Sequence, residues 1–211
     1  VLKKNISMKN LEQIKETYDY LNTQGYGGSF HGRKHTPFLK LLNINSVLDV
    51  GTGQGQFCNW AIEELCSEVH GLDISIDPNL EFLNKNIDFL KGCSHDIPLE
   101  DKSVDLTTSF DFLEHVHPDF LDRTIDEMVR VTRKCMFHTT HGGPSHSRRH
   151  HEIRPGVEVG ELHLIQEHKK HFWIKKIFNR VSDSVSIVNG GILVIFSVDP
   201  LALGEEPVEV D

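Results

Sequence analysis

Apolar positions along this 211-residue chain change their period several times, and the changes predict alternating helices and strands. Residues 8–22 (MKNLEQIKETYDYLN) place Leu11, Ile14, Tyr18 and Leu21 at helical spacing. A glycine-rich joint, GYGGSFHGRKHTP, follows, rich in histidine, arginine and aromatic residues. SVLDVG (46–51) then reads as a strand, FCNWAIEELC (57–66) as a helix, EVHGLDIS (68–75) as a strand and NLEFLNKN (79–86) as a short helix. IDFLKGC (87–93) and SVDLTTSF (103–110) are further short apolar runs of strand type. In DFLDRTIDEMVRVT (119–132), Leu121, Ile125, Met128 and Val129 share one helical face, and CMFHTTH (135–141) is a fifth strand. HFWIKKIFNRV (171–181) reads as a helix through Trp173, Ile174, Ile177 and Val181. SVSIVNGGILVIFSV (184–198) is a hairpin, with Asn189-Gly190 as its turn.

Strand alternating with helix predicts an α/β fold, a mostly parallel sheet with helices on both faces. The closing hairpin forces the last strand antiparallel to its neighbour, which points away from a dinucleotide dehydrogenase. One domain is expected over 1–211: a helical N-terminal cap segment (1–43), the α/β core (44–198) and an acidic tail (199–211).

Composition narrows the function classes. Apolar residues make up 38% and charged ones 25%, the balance of a water-soluble globule with a core. The net charge of −9 opposes binding to a phosphodiester backbone, so no nucleic-acid partner is expected. Neither an apolar signal core nor a membrane-spanning run is present in the sequence, and no membrane partner is expected. Cys58, Cys66, Cys93 and Cys135 lack CxxC spacing and read as reduced thiols, which sets the expected location in the cytoplasm.

The candidate chemistry starts at VLDVGTGQGQF (47–57). Glycines at 51, 53 and 55 allow a tight turn and close approach of a ligand, and the following helix aims its N–H groups at the same spot. A GxGxxG phosphate loop would need glycine where Gln56 stands. Asp49, two residues before the first glycine, disfavours pyrophosphate and suits an ammonium or sulfonium ligand. Asp73 ends the second strand, where a carboxylate can accept from both hydroxyls of a ribose. Asp96, beyond the third strand, can accept from an adenine amino group while Ile97 offers its backbone N–H.

VLDVGTGQGQF, VHGLDIS, KGCSHDIPLEDKSVDLTTS and FDFLEHV, in that order, resemble the motifs of the class I S-adenosylmethionine-dependent methyltransferases over roughly residues 25–198. The resemblance implies a Rossmann-like, doubly wound, seven-stranded, mostly parallel sheet that ends in an antiparallel hairpin. It implies S-adenosyl-L-methionine as donor and S-adenosyl-L-homocysteine as product. The donor's amino acid end would sit over Gly51 and Gly53, with Thr52 and Gly55 in the same loop, Asp49 beneath, and the backbone at Ser109 and Phe110 alongside. Asp73 and Ile74 would serve the ribose, and His95, Asp96 and Ile97 the adenine.

The acceptor side is expected to hold the base. Amino-methylating nucleic-acid enzymes of this family carry an Asp/Asn-Pro-Pro-aromatic motif, whereas this chain has Ser109-Phe110-Asp111-Phe112. A small-molecule or sugar-like acceptor methylated at a hydroxyl or amine is therefore expected. GELHLIQEHKKHFWIKKIF resembles the segment that helps cover the acceptor pocket in that branch. His141, at the tip of the fifth strand, is the leading base candidate and His115 the second; each has a purely structural alternative. Arg148 and Arg149 in the histidine-rich loop could meet an anionic acceptor, and Phe30, His31 and Arg33 could fold over the donor or acceptor. His146, His150 and His151 could each ligate a metal, yet no metal motif spans them, and none is expected. Two rival readings share the fold: an aminopropyl-type transferase, and a non-catalytic methyltransferase-like binding subunit. The oligomeric state is not legible.

Overall fold

The structure, a computed structural model, describes residues 8–23, 30–76, 85–140, 170–181, 184–188 and 190–196. Its helices are α1 (Met8–Thr23), α2 (Thr36–Leu39), α3 (Gln56–Glu64), α4 (Pro118–Val131) and α5 (Lys170–Phe178). Its strands are β1 (Ser46–Val50), β2 (Glu68–Asp73), β3 (Ile87–Lys91), β4 (Val104–Phe110), β5 (Thr132–Thr139), β6 (Ser184–Val188) and β7 (Gly191–Ile195). All seven strands form one sheet in the order β3-β2-β1-β4-β5-β7-β6, the Rossmann-like arrangement expected. β1 to β5 are mutually parallel, and β7 runs antiparallel to both β5 and β6.

This order places a switch point between β1 and β4. Chain progression runs one way from β1 through β2 to β3 and the other way from β1 to β4, so loops leave in opposite directions and open a crevice at the strand C-termini. All five residues of β1 are buried, as a central strand covered on both faces requires. One core cluster joins Leu48, Val50, Leu113 and Met136 to Ile125 and Met128 of α4 and to Trp173 and Ile177 of α5. The other joins Val47, Leu106 and Phe137 to Leu39, Phe57 and Ala61 of α2 and α3.

α4 starts on Pro118, and the His117 ring nitrogen Nδ1 accepts from the Asp119 N–H at 3.2 Å. Its deepest residues are Leu121, Ile125, Met128 and Val131, so Val131 rather than Val129 completes the buried face. The helix passes straight into β5, which begins three residues before the expected Cys135. Thr132 makes the turn: its backbone is already extended, while its hydroxyl donates to the Met128 carbonyl at 2.5 Å and lies 2.6 Å from the Thr107 hydroxyl.

Cys58 and Cys135 are buried and Cys66 and Cys93 half-buried, all four as free thiols. Of the short helix expected over 79–86, only Lys85 and Asn86 are described, and they form a turn. The acidic tail, Asn189 and most of the segment expected to cover the acceptor lie outside the described residues. Among the described residues no helix is long and apolar enough to cross a membrane.

Candidate functional site

The loop leaving β1 is built from left-handed glycines: Gly51, Gly53 and Gly55 have φ of 76°, 57° and 76°. Only glycine takes these angles without strain. A Cβ on Gly51 would stand 2.2 Å from Cδ2 of Phe112, so the loop closes against the chain after β4 as tightly as its sequence permits. Gly51 and Thr52 both donate their N–H groups to the Leu72 carbonyl, at 2.8 and 3.1 Å. Gly55 then caps α3, which starts at Gln56 and points its N-terminus at the crevice.

Asp49 lies beneath this loop with 3% of its surface exposed. It accepts from the Thr108 hydroxyl at 2.8 Å, across the β1–β4 pair. Burial pushes its carboxyl up to about 7, against the hydrogen bonds of Thr108 and Thr52 that favour the ionised form. Thr52 also sets its hydroxyl 3.1 Å from the Cys58 thiol. Asp73, half-buried at the end of β2, accepts from Gly53 N–H at 2.9 Å and from Ser75 N–H at 3.0 Å. Its carboxyl is raised to about 6 by burial, which outweighs the N–H groups of Ser75, Gly53 and Ile74. Asp49 and Asp73 are thus gathered around one loop, as the sequence suggests.

α1 reaches the same place. Asn22 donates from Nδ2 to the carbonyl and hydroxyl oxygens of Ser75, each at 2.8 Å, and the Ser75 hydroxyl donates to Asp19 at 2.5 Å. These two α1 residues escaped the sequence reading, although their i,i+3 spacing puts both on one helix face.

The third strand end differs from expectation. The Ile97 N–H donates to Glu127 Oε2 at 2.9 Å and so is not open to an adenine ring. Ile97 itself is 3% exposed, and Arg130 fastens the segment further by donating to the carbonyls of Ile97 and Leu99 at 2.9 and 2.8 Å. Asp96 keeps an accessible carboxylate, 3.6 Å from Arg123. His95 stacks on Phe120, centroids 4.1 Å apart and planes 8° off parallel, and burial, with Arg123 nearby, holds its ring below the usual histidine range.

After β4 the side chains divide. Ser109 is fully buried, with its hydroxyl 2.8 Å from Nδ1 of His138 on β5. Burial keeps His138 neutral, its basicity lowered to about 3. The Phe110 ring packs on Phe57 at 4.8 Å, and Gly32 lies against it so closely that a Cβ there would sit 2.8 Å from Cζ. Asp111 takes φ 52° and meets His31: Oδ2 stands 3.3 Å from Nδ1. That contact was not foreseen, since the two residues lie far apart in the sequence. His115 ends the 3-10 turn Leu113–His115 that follows.

The residues flanking His31 face elsewhere. The Arg33 guanidinium sits 5.6 Å over the Phe30 ring, and both line a groove of about 590 Å3 with Thr36, Lys40, Gln56 and Trp60 along α3. Phe30 and Arg33, named with His31 as residues that could fold over the donor or acceptor, thus line this groove, whereas His31 meets Asp111. Trp60, half-buried against the core, also lines this groove, with Lys40 6.0 Å from its ring. His141, Arg148 and Arg149 lie outside the described residues, as do His146, His150 and His151.

Residues 48–135 match the family model described as a methyltransferase domain. No curated protein matches the sequence. Similar solved structures include a Burkholderia thailandensis 1,6-didemethyltoxoflavin-N1-methyltransferase with bound 1,6-didemethyltoxoflavin and S-adenosylhomocysteine. It is 13% identical, with a TM-score of 0.60, and 92% of this chain covers 91% of that one. A Haloferax volcanii methyltransferase in complex with the Trm112 activator is 15% identical at TM-score 0.59, over 81% of this chain and 90% of that one. A Bacillus halodurans methyltransferase is 18% identical at TM-score 0.56, over 73% and 69%. Strand order, glycine loop and family model point the same way: residues 48–135 are similar to a methyltransferase domain, set in a Rossmann-like fold.

Proposed function

We propose that this chain binds S-adenosylmethionine over the Gly51–Gly55 loop and methylates a hydroxyl or amine of a small, sugar-like or anionic molecule. The observation that carries the reading is a cradle with no room for a Cβ at Gly51, set above the buried Asp49 and beside Asp73. Those residues fit the donor. Asp49 supplies negative potential beneath a cationic amino acid end. Asp73 accepts from Gly53 N–H on Oδ2 and from Ser75 N–H on Oδ1, and a carboxylate's roughly four lone-pair sites leave it capacity to accept from a ribose hydroxyl as well. The flat His95–Phe120 stack and the accessible Asp96 suit an adenine ring with an exocyclic amine. Bound there, the donor supplies a methyl group already activated by the sulfonium. The chain's own task is alignment, which can lower a barrier by on the order of 7–11 kcal/mol.

Calorimetry with S-adenosylmethionine tests the reading. Wild type should bind, and Asp73→Ala should bind at least about tenfold more weakly, because charge-assisted hydrogen bonds contribute roughly 1.5–3 kcal/mol each. No heat of binding with wild type would refute the proposal, and unchanged affinity in the variant would remove Asp73 from the site.

The same titration repeated with pH gives an independent check. Asp49 and Asp73 have raised values of about 7 and about 6, so between pH 4 and 7 the free protein holds protons that an unfolded chain has released. This favours the fold at low pH and weakens it as pH rises, while a donor that prefers both carboxylates ionised does the reverse. Affinity should climb through pH 6–7 and level off by pH 8, with a total gain of roughly tenfold or more over pH 5.5. A flat profile would mean that neither carboxylate meets the donor.

A further inference from the structure

We propose that His31, held by Asp111, is the base that takes the acceptor's proton during methyl transfer; the inference rests on the methyltransferase reading above. Asp111 follows the last residue of β4, where the strand ends form the crevice. The adjoining Phe112 ring touches the Gly51 turn, so the carboxylate belongs to the rim of the same loop that cradles the donor. His31 arrives from the N-terminal turn, and its approach depends on Gly32, whose bare Cα lies on the Phe110 ring.

The pair is not a loose surface contact. Asp111 adopts a left-handed backbone, φ 52°, a region in which aspartate is one of the few non-glycine residues found. It is fixed there by its N–H, which donates to the Thr139 carbonyl at 3.1 Å and to the Thr139 hydroxyl at 3.0 Å. The Thr139 hydroxyl is also placed to donate to Oδ1 of Asp111, at 3.0 Å, which directs Oδ2 at Nδ1 of His31. A carboxylate on Nδ1 sets the tautomer with hydrogen on that nitrogen and leaves Nε2 as the basic atom. With 52% of the side chain exposed, a ligand can reach the ring. The Asp111 hydrogen bond raises His31 above its ordinary value against the opposing effect of burial, and the charges of Asp111 and Glu114 add to it. Arg33, on the same turn, lies over Phe30.

The step balances. An oxygen lone pair of a hydroxyl acceptor forms the new bond to the methyl carbon as the carbon–sulfur bond breaks, with its electron pair left on sulfur. The hydroxyl proton passes to Nε2 of His31, and the imidazolium rests beside Asp111 until water removes the proton. His31 is the catalytic residue and Asp111 its positioning residue.

Three measurements on the full chain test this. In the first, S-adenosylhomocysteine release is followed with S-adenosylmethionine and phenol, catechol or glucose as the hydroxyl probe. His31→Gln should slow release by about a hundredfold and Asp111→Asn by at least about tenfold. Asparagine is chosen because it tolerates the left-handed backbone. In the second, S-adenosylhomocysteine affinity by calorimetry should stay within about threefold in both variants, as expected for a base rather than a donor ligand. In the third, the His31 ring is titrated by NMR: Asp111→Asn should return it toward the ordinary histidine value, and the acid limb of the rate profile should move to lower pH with it. Undiminished release in His31→Gln, a matching loss of donor affinity, or a titration indifferent to Asp111 would each overturn the proposal. So would a wild type that binds donor yet methylates none of the three probes. A wild type that does not bind donor would refute the underlying methyltransferase reading instead.

Discussion

Gly51→Ala is expected to weaken S-adenosylmethionine binding by at least about thirtyfold and to lower the melting temperature by several degrees. Two effects combine. At φ 76° a side chain costs about 1–2 kcal/mol in backbone strain alone. The new Cβ would also stand 2.2 Å from the Phe112 ring, which packs on the core and cannot give way freely. Either the loop lifts or Phe112 leaves, and both deform the cradle above Asp49. Since about 1.4 kcal/mol is a factor of ten, a distortion of roughly 2 kcal/mol suffices for the predicted loss. Gly190→Ala is the matched control. Gly190 has φ 84° but nothing within 4 Å of a Cβ, so it isolates the backbone effect at the β6–β7 turn. Its stability should fall by about 1 kcal/mol or slightly more, with donor affinity untouched. Equal affinity in wild type and Gly51→Ala, measured by calorimetry, would separate the loop from donor binding.

Trp173→Ala should produce the largest loss of stability, about 3–5 kcal/mol. Trp173 is 0% exposed and sits where α5 meets α4 and the sheet, with Phe172 edge-on at 5.2 Å. Removing the indole leaves a cavity that the strands behind it cannot fill. For a chain of this size each kcal/mol shifts the midpoint by about 2–4 °C, so thermal unfolding should occur roughly 6–20 °C lower. A shift under 3 °C would mean that α5 contributes little to the core. Donor affinity measured well below the transition should change far less than in Gly51→Ala, because the indole lies on the face of the sheet and not at its C-terminal edge.

Much of this architecture is legible from periodicity. β1, β2 and β4 announce themselves as short apolar runs, and the hairpin 184–198 fixes the antiparallel end of the sheet. Asp49 and Asp73 are legible because each sits at a fixed offset from a strand end and a glycine. What escapes is pairing over long sequence distances. Nothing in SFHGRKH says that His31 turns to Asp111 while Arg33 turns to Phe30; that follows from the room Gly32 leaves against Phe110. Likewise Ile97 reads as an open N–H donor until Glu127, thirty residues on along α4, is folded against it. A strand has a period and a loop offset, whereas a side-chain contact between distant segments has neither.

The fastening of residues 97–99 to α4 has a consequence for how a nucleobase would be held. Glu127 and Arg130 organise this rim before any ligand arrives, so an incoming ring forfeits no freedom in ordering it. The gain is entropic, and it comes at the expense of a directional contact, because the N–H that could have read the ring edge is engaged. For a nucleobase bound as proposed, recognition would lean on shape and on the exposed carboxylate of Asp96, a rim that holds firmly while discriminating little between one flat heterocycle and another.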